Sequence, residues 1–169
     1  SLLGSEAHLV VDRAGEGFAG YEEFIAQVLT IPGVVAASPT VESEALLQSP
    51  TSSQRRAGAM IRGVDPARAG DVVNVDEYLG SGELRFDRDD LIESGRRRLA
   101  EGDTVKGGII LGSGLARRLG VRVGDPVVMY AAFHQIGGQF VPVVRNFVVI
   151  DTYESGLYEI DSGVAYIDF

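Results

Sequence analysis

The feature that most constrains the fold is residues 107–130, GGIILGSGLARRLGVRVGDPVVMY, where two glycine clusters enclose a short apolar run and a short amphipathic segment. The run IILG (109–112) predicts a buried strand, because a short apolar run bounded by turn residues is typical of a strand inside a core. Ser113 follows where a hydroxyl can cap the first turn of a helix. The stretch therefore predicts a strand that leads directly into a short helix.

The predicted helix has one packed side, formed by Leu115, Ala116 and Leu119, and it ends at a glycine. Gly120 supplies the left-handed residue that commonly follows the last turn of a helix. Gly124 permits the positive φ of a second tight turn, which leads the chain into the next strand. Both glycines are thus explained by turns.

Glycine-rich loops can also cradle phosphates, but the residues that this chemistry needs are missing here. A P-loop has a Lys and a Ser or Thr after its second glycine, whereas Gly112 is followed by Ser-Gly-Leu. A dinucleotide-binding fingerprint has its three glycines between a strand and a helix, whereas Gly108, Gly112 and Gly114 straddle the predicted strand. We therefore expect no phosphate-bearing ligand and no cofactor.

Charge and composition exclude several further function classes. The chain carries a net charge of −9, so nucleic acid is not an expected partner. Cysteine is absent, and the two histidines, His8 and His134, stand outside any metal-ligand or nucleophile–base spacing. No apolar run approaches the roughly 20 residues that span a bilayer. Because the chain also starts without a methionine, we expect a non-catalytic, metal-free domain cut from a larger protein.

The first third of the chain predicts a β-α-β unit followed by an antiparallel strand. HLVVD (8–12) has the composition of a strand, and apolar residues at helical spacing over 18–29 predict an amphipathic helix. A period of two indicates a return strand within 34–48. The polar segment 49–56 is interpreted as a connection, and 57–66 as the next strand.

The remainder predicts one charged surface segment and several strands. Apolar spacing over 72–79 indicates a short helix, and the charge-rich segment 86–106 is typical of a solvated surface. Strand patterns over 126–133 and 141–155 predict a long hairpin, and 164–169 closes the chain as a further strand.

Five segments, in this order, carry a resemblance to a known family. IPGVVAASP (31–39), RGVDPA (62–67), YLGSGEL (78–84), GIILGSGLARRLGVRVGDPVVMY (108–130) and NFVVIDTYESGLYEIDSGVAYID (146–168) resemble the extracytoplasmic domain of lipoprotein-releasing ABC transporter permeases. This is the LolC/LolE family, which is related to the MacB-type permeases. The resemblance covers essentially the whole chain.

The resemblance implies an α+β fold in two parts. A discontinuous Porter-like β-α-β subdomain would comprise residues 1–67 and 147–169. A mainly β Sabre-like subdomain, residues 68–146, would be inserted between them. A protruding hairpin, called the Hook in this family, would occupy about 131–145.

The family's function implies where this domain works and with what. It would lie on the periplasmic face of the bacterial inner membrane, between the first two transmembrane helices of the permease. The transporter releases lipoproteins and passes them to a LolA-type periplasmic carrier. A second permease subunit and a separate cytoplasmic ATPase subunit would be further partners.

The carrier-docking loop of the family corresponds to ten residues here. Apolar residues at a hairpin tip usually mark an interface, although such residues can also pack back onto their own domain. Family members often show Pro-x-Gly-x-x-Pro at this tip; this chain keeps Gly138 and Pro142 but lacks the first proline. The predicted docking residues are Phe133, His134, Gln135, Ile136, Gly137, Gly138, Gln139, Phe140, Val141 and Pro142.

Two other functions remain open at the level of sequence. A MacB-like or cell-division-type (FtsX-like) permease would share the strand–helix–turn motif, and its periplasmic domain would engage an adaptor or a hydrolase activator. A free-standing enzyme is disfavoured, because the sequence shows no nucleophile, metal or phosphate pattern.

Overall fold

A computed structural model describes residues 7–12, 20–136 and 139–169, with the backbone alone described over 132–136 and 139–142. The helices are α1 (Tyr21–Val28), α2 (Pro66–Val72), α3 (Asp89–Arg96), α4 (Ser113–Leu119) and α5 (Tyr158–Gly163), with a 3-10 turn at Asp76–Tyr78. The strands are β1 (Thr40–Ser49), β2 (Ser52–Val64), β3 (Val105–Gly112), β4 (Pro126–Ile136), β5 (Gln139–Tyr153) and β6 (Val164–Asp168).

The strands form a closed barrel in the order β1-β2-β6-β3-β5-β4, and β4 pairs back with β1. The β2–β6 and β3–β5 pairs are parallel, while the other pairs are antiparallel. Parallel neighbours need crossover connections, and α2 to α5 lie within these connections, whereas α1 precedes β1. The α+β class predicted from the sequence is confirmed.

One end of the barrel is packed by α4, and we call it the helix end. The chain passes from β3 into α4 at Gly112, and Leu115 and Leu119 of this helix are fully buried. They share one apolar cluster with Leu47 and Ile109 of the barrel strands. Burying a leucine side chain stabilises a fold by about 1.5–3 kcal/mol, so α4 is an integral part of the core. We call the opposite end, where β1 begins, the hairpin end.

A second apolar cluster covers the outside of the barrel along β6, β3 and β5. Ile110 and Ile150 point outward from the strands and are buried beneath the segment that runs from α2 to α3. Leu84 and Phe86 of that segment are buried against them. The charge-rich segment predicted as surface therefore also has a packed underside.

Several predictions from the sequence are confirmed element by element. The strand at 109–112, the packed side of α4 and the hairpin of β4 and β5 all form. Gly120 has φ 64° and Gly124 has φ 90°, as the two predicted turns require.

The strand predicted at 8–12 is wrong. The backbone there has no regular structure, and the Leu9 and Val10 side chains are each 79% exposed. A strand pattern specifies a strand only where another strand offers hydrogen-bonding partners, and no described strand pairs with this segment.

Three local boundaries also differ from the prediction. The short helix predicted over 72–79 is only a 3-10 turn at Asp76–Tyr78, and the α-helix of this region starts earlier, at Pro66, where Asp65 Oδ1 accepts a hydrogen bond from the Ala67 N–H at 3.0 Å. An Asp-Pro helix start outweighs weak apolar spacing. The connection predicted over 49–56 is a turn at 50–51, and the return strand starts only at Thr40.

The cap predicted at Ser113 is wrong by one residue. Gly112 is the N-cap of α4, and the Ser113 Oγ is buried without a hydrogen-bond partner among the described residues. Glycine is needed at position 112 for a different reason, because a side chain there would have no room. A Cβ there would lie 2.6 Å from the carbonyl carbon of Asp161, and one on Gly114 would lie 3.1 Å from the Asp161 carbonyl oxygen.

A small polar network holds α5 at this contact. The buried Asp161 carboxylate accepts hydrogen bonds from the Ser155 hydroxyl at 2.7 Å, the Ser155 N–H at 2.8 Å and the Gly156 N–H at 3.1 Å. The Tyr153 hydroxyl donates to the Ile160 carbonyl at 2.9 Å. Burial raises the pKa of the Tyr153 phenol well above its ordinary value, so the hydroxyl stays a donor.

We predict that Gly112→Ala lowers the free energy of unfolding by about 2–3 kcal/mol, because the new methyl group meets backbone atoms of α5 that have no room to move. Gly107→Ala in the same strand is the matched control, since a Cβ there meets nothing within 4 Å. Urea unfolding of the two variants measures the difference. Equal stabilities would contradict the close α4–α5 contact.

Candidate partner-docking site

The hairpin of β4 and β5 continues beyond the barrel wall. On one side, β1 pairs with β4 only through Ala45↔Ala131 to Gln48↔Val128. On the other side, β3 pairs with β5 only from Asn146 onward. Among the described strands, residues 132–136 and 139–142 therefore lie beyond both of these ladders and have only each other as neighbours. The result is a two-stranded arm at the hairpin end of the barrel.

A bulge lies at the base of this arm. The ladder passes from Ala131↔Val143 to His134↔Val141, so two residues of β4 stand opposite Pro142 alone. Proline has no N–H to give to a ladder, and it is found at edges and bulges for that reason. A bulge also bends a strand and increases its twist, which changes the direction in which the arm leaves the barrel.

An open apolar pocket of about 120 Å³ lies at the root of the arm, where β1 and β4 separate. Phe169, half exposed at 50%, forms part of its rim, and a Cβ on Gly63 would lie 2.9 Å from the Phe169 Cβ. The Tyr21 ring of α1 lies 6.0 Å from the Phe169 ring. The pocket is lined by Val41, Ser43, Ala45, Ile61, Gly63, Met129, Ala131, Ile167 and Phe169.

The outer wall beside the arm carries an apolar row. Leu46, Tyr130 and Val144 stand directly opposite one another on β1, β4 and β5. Leu46 is 37% and Val144 is 42% exposed, and Tyr130 is half-buried. The outward positions of an antiparallel sheet that faces water are usually polar, so this row is unusual for a solvated wall.

The predicted docking residues divide between the two strands of the arm. Residues 133–136 lie in β4 and residues 139–142 lie in β5, while Gly137 and Gly138 fall outside the described residues. The structure thus brings both strands of the predicted loop together through backbone pairing. The role of their side chains stays a prediction.

Sequence reasoning missed the pocket and the apolar row. Val41, Met129 and Phe169 come from three distant parts of the chain and meet only because the barrel closes. The sequence alone does not distinguish Leu46, Tyr130 and Val144 from other strand residues. The signal for the apolar row is that apolar residues occupy outward positions where polar residues are usual. These positions can be identified only when the strand register is known.

Charges near the hairpin end have a structural role. Arg62 Nε lies 2.7 Å from Glu42 Oε1, which ties β2 to β1. Burial lowers the pKa of the Arg62 guanidinium, but its interactions with Tyr166 and Glu42 outweigh this and raise the pKa overall.

Within residues 7–12, 20–136 and 139–169, no group of three or more acidic or histidine side chains is placed to hold a metal ion. No described helix is long and apolar enough to cross a membrane.

Comparison with known proteins gives consistent relatives. No family model matches the chain. It is 32% identical over 173 residues to the lipoprotein-releasing system transmembrane protein LolC of Xylella fastidiosa (strain Temecula1), an alignment that covers 99% of the chain and 36% of the relative. LolC of Neisseria meningitidis serogroup B (strain MC58) is 31% identical over 134 residues, covering 79% of the chain and 28% of the relative. The chain spans about a third of the length of the curated relatives it matches.

We predict that the amides of residues 132–136 and 139–141 exchange with solvent deuterium at least roughly tenfold faster than those of Val127–Met129 and Phe147–Ile150. The arm has two strands and no third neighbour, so it opens locally without unfolding the barrel. Hydrogen–deuterium exchange with peptide resolution makes the comparison. Equal protection would show that the arm packs against another part of the molecule.

Proposed function

The chain belongs to the LolC family of lipoprotein-releasing transmembrane proteins, and we propose that it is the periplasmic domain of an ABC transporter permease that docks a LolA-type lipoprotein carrier. The observation that carries this proposal is the arm, whose two strands pair only with each other among the described strands. An element that leaves the wall of a closed barrel is available to a partner. The sequence places its apolar residues at the tip of this element.

The apolar row supports the same proposal. Leu46, Tyr130 and Val144 are continuous with the base of the arm, because Val144 lies two residues after Pro142 in β5. A partner that engages the arm would also meet this wall. A carrier that takes its cargo and leaves needs a transient interface, and the arm with its adjoining wall suits an interface at the small end of the usual range.

In this proposal the domain itself performs no catalysis. It would hold the carrier at the periplasmic face of the inner membrane while the rest of the transporter moves lipoprotein. The membrane spans, the second permease subunit and the cytoplasmic ATPase would lie outside this chain. Its own contribution would be position, with the closed barrel as the rigid support and the arm as the element that contacts the carrier.

The two-part division of the family would place residues 1–67 and 147–169 in a Porter-like subdomain and residues 68–146 in a Sabre-like one. Both stretches contribute strands to the same barrel. We expect two unfolding units in native-state hydrogen exchange if the division is real, because a subdomain with its own core can open separately. A single cooperative unit that includes β2 and β3 would contradict it.

The direct test of docking is a binding titration against the LolA-type carrier of the same organism. We expect replacement of residues 136–142 by Gly and Ser to weaken binding at least roughly tenfold, since a few central residues carry most of an interface's affinity. Val123→Ser is the matched control, because Val123 is an exposed apolar residue of the turn after α4, at the other end of the barrel.

Equal binding by the parent and the arm variant would place the carrier elsewhere on the domain. A parent that does not bind the carrier at all would contradict the proposed function. Circular dichroism and urea unfolding of the variant keep these outcomes separate from misfolding, because the arm contributes no strand pairing to the barrel beyond Ala131 and Asn146.

A further inference from the structure

Four arginines lie at the helix end, opposite the arm. Arg117 and Arg118 lie on the solvent side of α4, and Arg122 lies on the turn that follows. Arg55, near the start of β2, reaches across to the same place. Its guanidinium carbon would lie 2.9 Å from a Cβ on Gly120, the residue that ends α4. We call this group the arginine cap.

The cap lacks counter-charges. All four side chains belong to exposed residues, and none forms an ion pair with a described residue. Asp125, the carboxylate closest to Arg122 along the chain, is occupied by Arg98 and by the Arg122 N–H. Glu159 of α5, exposed at the same end, makes no ion pair with a described arginine.

The two chain segments that carry the arginine cap contain no acidic residue of their own. Segments 45–64 and 104–124 contain no Asp or Glu, although the chain as a whole has 24 acidic and 15 basic residues. Unpaired like charges repel one another, and surface pairs are easily formed in a chain with an acidic excess. A basic cap on an acidic protein is therefore a local feature that its overall charge does not explain.

One structural explanation accounts for part of the cap. Cations at the C-terminal end of a helix stabilise the exposed carbonyls of its last turn. Arg55 lies against Gly120 and can serve α4 in this way, as can Arg117 and Arg118. Arg122 lies beyond the helix, and a helix of seven residues does not need three cations at one end.

We propose that the arginine cap is a docking surface for an acidic protein, separate from the arm. The charges are spread over a helix, a turn and a strand start, which suits an extended face more than a single small anion. Guanidinium groups bind carboxylates through paired N–H donors, and complementary charge steers a partner to one orientation. Because the cap and the arm lie at opposite ends of the barrel, both can be occupied at once.

The test is fluorescence anisotropy with a fluorescein-labelled oligoglutamate peptide at low ionic strength. We expect the parent to bind it and Arg117→Gln/Arg118→Gln to weaken binding by roughly fivefold or more, because charge-complementary surfaces depend on such residues. Arg68→Gln/Arg85→Gln is the matched control. It removes the same charge from α2 and from the segment before α3, and binding should stay within about twofold of the parent.

Three outcomes would overturn the proposal. Equal weakening by the control would show that net charge alone governs binding. Absence of oligoglutamate binding would leave the cap as support for α4. Tighter binding of inorganic polyphosphate, or of phosphatidylglycerol vesicles, would make the partner a phosphate-bearing polymer or a lipid surface instead. Urea unfolding confirms that both double variants are folded before any titration is interpreted.

Discussion

The short ladder between β1 and β4 is the interaction on which the rest of this structure depends. It closes the barrel through residues 45–48 and 128–131 and then stops. The paired part of β1 and β4 closes the wall around the buried leucines and isoleucines of the interior. Beyond that part β1 and β4 separate, so the apolar pocket is open and the arm has no third strand beside it. A longer ladder would bury the root of the arm, and a shorter one would leave the barrel open to water. The paired part of β1 and β4 thus makes the barrel rigid, and their separation beyond it lets the arm extend.

The helix end is held by a different kind of contact. There, α4 and α5 approach so closely that only glycine fits at the crossing, and the buried Asp161 carboxylate is satisfied by three donors from the loop before α5. Buried polar groups stabilise a fold only when such partners are complete. This end is therefore fixed by backbone packing and hydrogen bonds, whereas the hairpin end is shaped by where strand pairing stops. The two candidate interaction surfaces lie on these two ends.

Local sequence patterns were sufficient to predict the elements whose structure depends mainly on neighbouring residues. The strand at 109–112, the turns at Gly120 and Gly124, and the hairpin of β4 and β5 each follow from residues close together in the chain. Elements that depend on distant partners were not predictable. Residues 8–12 have the composition of a strand but no described partner, and the barrel closure joins β1 to a strand some eighty residues later. For the candidate site, the position of the arm was accessible from the sequence, while the pocket and the apolar row required the register.

The bulge opposite Pro142 has a consequence for how the arm can be used. A two-stranded arm presents backbone donors and acceptors along its outer edges, and such edges recruit strands from neighbouring molecules into growing sheets. An extra residue on one strand and a missing N–H on the other interrupt that template at its base. Contacts made by side chains can form and break within a working cycle, whereas added strands are slow to leave. The irregularity at the root of the arm therefore favours reversible engagement over polymerisation.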